Sequence, residues 1–374
     1  MPEFVVIAPD KFKGSLSAAE VAAALAEGIA SLAPDLPLRL APIADGGDGT
    51  VAAALAAGYA EVGLEASGPT GVRRATRYAR DGDRAVIELA CVCGLELLPD
   101  GLEPLASSTF GVGEVIRHAV EHGVRRIVLG LGGSASTDGG AGMMQALGAR
   151  LTGQDGAELP LGGGALLGLA AVELSAVWEL LAGVELVVAS DVQNPLLGAQ
   201  GAVAVFGPQK GAAGADLVLL EAGLARWAEL VGGDPGLPGA GAAGGAGYAA
   251  AAILGAELRS GIDLVLDLLG LRPALSAARL VITGEGRLDQ QSLAGKGPIG
   301  IARVAAASGV PVVAVAGINL LRAEDLAGTG ISAVYTLAEL EPDPRRSMAG
   351  AAELLSRVGA RVAVDLLGRP ETSQ

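Results

Sequence analysis

Residues 4–16 read Phe4-Val-Val-Ile-Ala-Pro-Asp-Lys-Phe-Lys-Gly-Ser-Leu16. A β-branched apolar run ends at Ala8, and Pro9 and Gly14 interrupt regular structure. Ser17 then opens an Ala-rich segment in which Val21, Leu25, Ile29 and Leu32 recur at helical spacing. Ser17 with Glu20 three residues later fits a capping box, which marks the helix start. The pattern is strand, loop, helix. In α/β proteins the loop at the carboxyl end of a parallel strand receives ligands, and a helix N-terminus favours anions. Asp10, Lys11, Lys13, Gly14 and Ser15 occupy that loop.

The same rhythm recurs at the far end of the chain. Strands are expected at 4–8, 38–43, 279–283, 311–316 and 331–337. Five βα units with right-handed crossovers can wind as a parallel sheet of order 2-1-3-4-5. The switch point then falls between the first and third strands, at loops 10–15 and 284–289. The second loop carries Gly284, Glu285, Gly286, Arg287 and Asp289, with Lys296 further along. Between the two ends the texture changes. Residues 73–80 alternate, Asp81-Gly82 marks a hairpin, and 84–90 alternate again. The expected fold class is therefore α/β: a five-stranded parallel flavodoxin/Rossmann-like domain (1–65 and 272–374) with a second mixed α/β domain inserted at 66–271.

Composition agrees. The chain has 374 residues, 51% apolar and only 3% aromatic, so Ala, Val, Leu and Ile must form the core against Gly. A net charge of −15 argues against nucleic acid and anionic membranes as partners. It leaves room for a small anion in a locally basic cleft. No leader-like segment or run of transmembrane length is present, so a cytoplasmic protein is expected. Cys91 and Cys93, in an apparent strand, would point to opposite faces and form no disulfide.

Of 26 basic residues only four are lysines: Lys11, Lys13, Lys210 and Lys296. All lie in Gly- or Pro-flanked loops, whereas arginine supplies the remaining cations. Lysine is a compact point charge suited to phosphate oxygens, a role in which arginine is not equivalent.

Four further stretches carry polar chemistry. Ala44-Asp-Gly-Gly-Asp-Gly-Thr50 reads equally as a phosphate or Mg²⁺ loop, through Asp45 and Asp48, or as a tight turn with a helix cap. Residues 132–142 include Gly132, Gly133, Ser134 and Asp138, and are too long for a plain βα turn, which favours an anion nest. Asp191-Val-Gln-Asn-Pro195 follows an apolar strand, a position suited to a general base or metal ligand, the alternative being an Asx turn. Residues 238–247 are Gly-rich, and nucleotide contact or close helix packing both remain open. His118-Ala-Val-Glu121-His122 matches a zinc-protease pattern, but both histidines sit where a helix C-terminus welcomes them, and that reading is preferred.

These motifs resemble the bacterial class I glycerate kinase family. The resemblance is carried by residues 8–16, 44–50, 191–195, Phe206-Gly-Pro-Gln-Lys-Gly-Ala212, Gly241-Ala-Ala-Gly-Gly245 and Ile282-Thr-Gly-Glu-Gly-Arg-Leu-Asp289. It implies a two-domain enzyme that transfers the γ-phosphoryl group of ATP, with Mg²⁺, to D-glycerate, giving 2-phosphoglycerate in a cleft between the domains. Gly132-Gly-Ser-Ala-Ser-Thr-Asp-Gly-Gly140 departs from the family's usual Thr-Asn at Ser136 and Thr137, keeping hydroxyls and losing an amide.

On that reading, positioning and charge neutralisation suggest roles. Asp191 would take the hydroxyl proton, and Lys11 and Lys13 would stabilise the transferring group. ATP would engage Asp10, Ser15, Gly284, Glu285, Gly286 and Asp289, together with Lys210 and Lys296. Glycerate would meet Gly132, Gly133, Ser134 and Asp138, with Arg287 and Asn194. Asp45 and Asp48, or Glu285, would hold Mg²⁺. The sequence leaves monomer and homodimer open. A metabolite sensor without turnover, or a phosphosugar phosphatase or isomerase, would use the same anion cleft.

Overall fold

A computed structural model describes residues 4–44, 46–98, 101–294 and 297–367. The fold is mixed α/β and divides into two compact units. The first comprises the chain up to residue 45 and from Ile262 onward, and the second spans 46–261.

The first unit opens with β1 (Val5–Pro9), all five residues buried, and β2 (Leu38–Leu40). The second unit supplies β3 (Ala60–Ser67), β4 (Arg73–Asp81), β5 (Arg84–Glu88), β6 (Arg126–Gly130), β7 (Arg150–Thr152), β8 (Ala171–Glu173), β9 (Glu185–Ala189) and β10 (Glu257–Arg259). The chain then returns to the first unit with β11 (Leu280–Leu288), β12 (Val312–Asn319) and β13 (Ile331–Thr336).

In the first unit the five strands form one parallel sheet in the order β13-β12-β11-β1-β2. Helices cover it: Ala18–Ala30 and Ala351–Val362 pack in one cluster with Val5, Ile7 and Ile282, while Val6 and Val281 pack in another with Ile301. Strands buried on both faces read as unbroken apolar runs, as β1 does. In the second unit the order is β10-β9-β6-β5-β4-β3. β3, β4 and β5 are antiparallel, and β5, β6, β9 and β10 are parallel. The β4–β5 hairpin turns through Gly82-Asp83, with Gly82 at φ +57°.

Four expectations change. The expected divide at 65/66 falls inside β3, whose pairing with β4 along its full length ties it to the second unit. Leu32 lies beyond the helix end at Ala30 and is 40% exposed. Cys91 and Cys93 sit in a short helix, Ala90–Cys93, and both thiols are free. Residues 284–287 are not a loop: β11 runs on to Leu288, paired with β12 as far as Asn319. Glycine at 284, 286 and 317 reads locally as a breaker, yet here it permits close strand approach. A Cβ at Gly284 would lie 2.1 Å from the Val315 carbonyl oxygen, and one at Gly317 would lie 2.5 Å from that of Gly286.

The capping box forms as the spacing requires. Glu20 accepts from the Ser17 N–H at 2.8 Å, and Ser17 Oγ accepts from the Glu20 N–H. The helix it starts lies against Ala351–Val362 at a distance set by two glycines. A Cβ on Gly28 would fall 1.8 Å from the Ser356 carbonyl oxygen, and one on Gly359 would fall 2.3 Å from that of Leu25. Gly28→Ala should therefore lower unfolding stability by roughly 2 kcal/mol, because overpacking against backbone outweighs the gain of about 1 kcal/mol in helix propensity. Gly63→Ala, where a Cβ meets nothing within 4 Å, should not. Equal thermal midpoints for the two variants would contradict this.

Candidate active site

Two groups of polar residues form, each at the carboxyl edge of parallel strands within its own unit.

In the first unit the chain leaves β1 and turns back at once. The Phe12 N–H donates to the Leu16 carbonyl at 2.9 Å, and the N–H groups of Ser15 and Leu16 donate to Phe12 at 2.8 and 3.0 Å. Gly14 takes φ +78°, and buried Phe12 anchors the turn. The turn lies along β11: the Asp10 N–H donates to the Gly284 carbonyl at 2.7 Å, and a Cβ on Gly286 would sit 3.3 Å from the Lys13 nitrogen. Lys11 is half-buried and Lys13 exposed. Asp10 Oδ1 accepts from the Lys11 N–H at 2.6 Å, and its carboxylate lies near Gly297, the first residue of the helix Gly297–Ala306. Ser15 Oγ is committed to the Met348 carbonyl at 2.8 Å. Arg287 pairs with Asp289 at 3.0 Å, and Asp289 also shapes the following turn by accepting from the Gln291 N–H. The structure thus brings Asp10, Lys11, Lys13, Gly284, Glu285 and Gly286 together. Lys296 and Asp45 lie outside the described residues.

In the second unit, the 46–49 loop, the residues after β6 and Gly261 after β10 converge because glycines let backbone touch backbone. A Cβ on Gly130 would fall 2.6 Å from the Gly46 carbonyl oxygen, one on Gly132 would fall 2.5 Å from Gly47 Cα, and one on Gly46 would fall 2.4 Å from Gly261 Cα. Glu88, at the end of β5 and 2% exposed, accepts from the N–H groups of Gly49 and Val51 at 3.0 and 3.1 Å. It holds the exposed Asp48 loop in place beside Gly132. Asp191 follows β9, the strand next to β6, and its Oδ1 accepts from the Gly261 N–H at 3.0 Å. Asn194 is used locally, its amide donating to the Gln200 carbonyl at 2.8 Å. Gly132 is half-buried and Gly133 exposed, while Ser134 is 8% exposed.

Behind that loop lie two buried charges. Asp138 is fully enclosed and accepts from Ser108 Oγ, from the N–H and Oγ1 of Thr109, and from the N–H groups of Gly140 and Gly142. It organises the loop from inside and is closed to a ligand. Lys210, only 2% exposed, is likewise no surface phosphate ligand. Its Nζ donates to Ser134 Oγ at 2.8 Å and to the Ser136 carbonyl at 2.5 Å. Burial pushes its pKa down to about 7, against the opposing charge of Asp138. Ser136 Oγ and Thr137 Oγ1 are buried with no hydrogen-bond partner among the described residues.

The Gly-rich stretch 238–247 is resolved as close packing. Ala243, Gly244 and Gly245 are left-handed in succession, and Ala243 (φ +52°) is the one non-glycine residue with positive φ among those described. Such a residue costs of order 1–3 kcal/mol and persists only where its surroundings enforce it. Here the Gly139 N–H donates to the Gly244 carbonyl at 2.9 Å, and a Cβ on Gly244 would meet the Ser136 carbonyl oxygen at 2.1 Å. At the helix Phe110–Glu121, His122 Nδ1 lies 2.7 Å from the His118 carbonyl oxygen and the two rings stack at 4.0 Å. Among the described residues no three His, Cys, Asp or Glu side chains gather as a metal cage, and no helix is long and apolar enough to cross a membrane.

Four residues escape a sequence reading. Glu88 and the Ser108-Thr109 pair look like an ordinary strand end and loop, since their partners are 29 or more residues away. Ala243 looks like helix-forming alanine.

Known proteins place the chain clearly. The sequence pattern described as Glycerate kinase family matches residues 5–367. The chain is 43% identical to a protein of Escherichia coli K12 named glycerate 2-kinase and 41% identical to a glycerate kinase of Bacillus subtilis 168, each alignment covering 97% of both chains. A crystal structure from Salmonella typhimurium LT2, assigned as glycerate kinase 2, superposes with a TM-score of 0.85 at 42% identity, covering 98% of this chain and 99% of that one.

The buried lysine gives a pH signature. Between its folded pKa near 7 and its ordinary value of 10.5, the unfolded chain holds a proton that the folded chain has released. Stability therefore rises with pH in that window, and the penalty is fully present below it. Cys91 and Cys93 act in the opposite sense above 9, because burial holds both thiols up at about 12. From about pH 7 to 9, urea unfolding of the wild type should gain up to about 1.4 kcal/mol per pH unit from this group. Lys210→Met should remove that slope, and parallel slopes would contradict it.

Proposed function

Since the chain belongs to the glycerate kinase family, we propose that it transfers the γ-phosphoryl group of ATP to D-glycerate, at the C2 hydroxyl, giving 2-phosphoglycerate. The observation that carries the reading is the placement of Asp191. It stands at the carboxyl end of β9, fixed through Oδ1 by the Gly261 N–H, next to the accessible Gly132-Gly133 loop that follows β6. A carboxylate beside an anion-welcoming loop suits an acid that must be held by its carboxyl group while its hydroxyl is activated. The E. coli relative's name, glycerate 2-kinase, supports C2.

Phosphoryl transfer is mainly positioning and charge neutralisation. The backbone of Gly132 and Gly133 and the Ser134 hydroxyl hold the glycerate carboxylate. Asp191 orients the hydroxyl and accepts its proton as the oxygen–phosphorus bond forms and ADP departs. In the first unit Lys13, exposed on the turn after β1, and Lys11 beside it neutralise charge on the phosphates. The N–H groups of the turn and the Gly284-Glu285-Gly286 strand position them. ATP brings Mg²⁺, whose hard oxygen chemistry needs only one or two protein carboxylates beside the phosphates. Asp48, exposed on its glycine loop, and half-buried Glu285 are of the right type. The ion supplies further neutralisation of the phosphate charge when bound.

ADP release that depends on D-glycerate tests the activity, and phosphorus NMR of the product tests C2 against C3. Asp191→Asn should lower kcat roughly 10²- to 10⁴-fold with an unchanged circular dichroism spectrum. Near-wild-type turnover would remove Asp191 from the role. Lys13→Arg should also lose activity despite its retained charge, because a fork cannot replace a point charge there. Full activity would contradict that assignment.

A further inference from the structure

In its charged form Lys210 is a buried ammonium group that touches only neutral oxygens. Among the described residues no carboxylate lies within ion-pairing distance of its ammonium group, and its two acceptors are a hydroxyl, Ser134 Oγ, and a carbonyl, that of Ser136. Enclosing such a charge costs several kcal/mol unless something compensates it. Asp138 lies close enough to favour the charge, but its oxygens are already taken by five donors. Asp138 therefore offsets part of that cost through its field, and an anion on the accessible side of the loop would offset more.

The hydrogen-bond direction shows how it reaches there. An ammonium group has donors and no acceptor, so Ser134 Oγ must accept from it. The hydroxyl proton of Ser134 is then free to point elsewhere, and among the described residues Ser134 Oγ forms a hydrogen bond only with Lys210. The neighbouring residues on the open side are Gly132 and Gly133, the accessible part of the loop. The Ser136 end of the lysine's grip is pinned from behind by the left-handed Ala243-Gly244-Gly245 segment, whose Gly244 abuts the Ser136 carbonyl. Lysine, serine and loop are thus held in one arrangement before any ligand arrives.

We propose that Lys210 is a positioning residue for the acidic acceptor substrate: from within the loop it turns the Ser134 hydroxyl outward as a donor to the substrate carboxylate, which in turn balances the buried charge. The proposal rests on the glycerate kinase reading and deepens it. It assigns recognition of the carboxylate to a relay in which Ser134 touches the substrate and Lys210 does not. It also removes Lys210 from the nucleotide. The loop selects an anionic head group through a charge that no ligand touches.

The test is steady-state kinetics of the full-length protein with the two substrates varied independently. Lys210→Met should raise KM for D-glycerate roughly 100-fold and Ser134→Ala roughly tenfold, as expected for loss of a charge-assisted hydrogen bond and of one donor. KM for ATP should stay within about twofold in both. The double variant should lose no more than Lys210→Met alone, because the two act as one relay. A rise in KM for ATP equal to that for D-glycerate would mean a merely structural lysine, a rise for ATP alone would return Lys210 to the nucleotide, and fully multiplicative losses would break the relay. Each overturns the proposal. Should Lys210→Met fail to fold, Ser134→Ala keeps the ammonium and still decides the matter: an unchanged KM for D-glycerate overturns it. Wild-type protein that turns over no D-glycerate with ATP would instead sink the activity reading itself.

Discussion

The carboxylate of Asp138 is the interaction on which the second unit's polar edge depends. A carboxylate stripped of water is costly unless donors replace the water it loses. Asp138 has five, drawn from Ser108, Thr109, Gly140 and Gly142. Thr109 Oγ1 passes the linkage on by accepting from the Met143 N–H at 2.9 Å. The start of the helix Phe110–Glu121 and that of Ala141–Leu147 are thereby tied to one side chain, and the path of residues 132–137 between β6 and the second helix follows from that tie. Gly142 is obligatory within it, since a Cβ there would fall 2.0 Å from Ser108 Oγ. The loop is rigid because its anchor is saturated, and Lys210 can be buried beside it because Asp138 lends it a favourable field.

Absence of side chains does comparable work at the sheet edges. Gly46, Gly130 and Gly132 bring three loops of the second unit to backbone contact, and Gly284, Gly286 and Gly317 do the same for β11, β12 and the turn after β1 in the first. Backbone N–H groups presented in this way form a surface that accepts anions without committing a cation to each. That suits a chain of net charge −15 that handles negatively charged ligands. Lys13 is exposed on a tight turn, Lys11 half-buried beside it, and Lys210 enclosed within a loop.

Much of this was legible in the chain. The apolar run before Pro9, the Ser17–Glu20 cap and the Asp81-Gly82 hairpin are local signals, and each formed as its chemistry requires. The proximity of the turn after β1 to residues 284–286 also follows from strand order. What stayed hidden depends on partners distant in sequence. Gly284 and Gly286 look like loop glycines until Val315 and Gly317 are seen against them. Ala243 carries no sign of its left-handed backbone, which Ser136 and Gly139 impose. Lys210 resembles the other lysines in its flanking residues and differs from Lys11 and Lys13 in depth. Glu88 reads as the last residue of a strand, and its role appears only when Gly49 and Val51 fold back onto it.

The central claim is that the second unit recognises the acid and activates its hydroxyl, while the first unit's turn handles phosphate. A crystal structure of the protein with D-glycerate alone tests this most directly. The expected result places the carboxylate on Gly132, Gly133 and Ser134 Oγ, with the C2 hydroxyl within hydrogen-bond distance of Asp191. A carboxylate bound instead on the turn at Lys11 and Lys13, with Asp191 touching no part of the ligand, would contradict it.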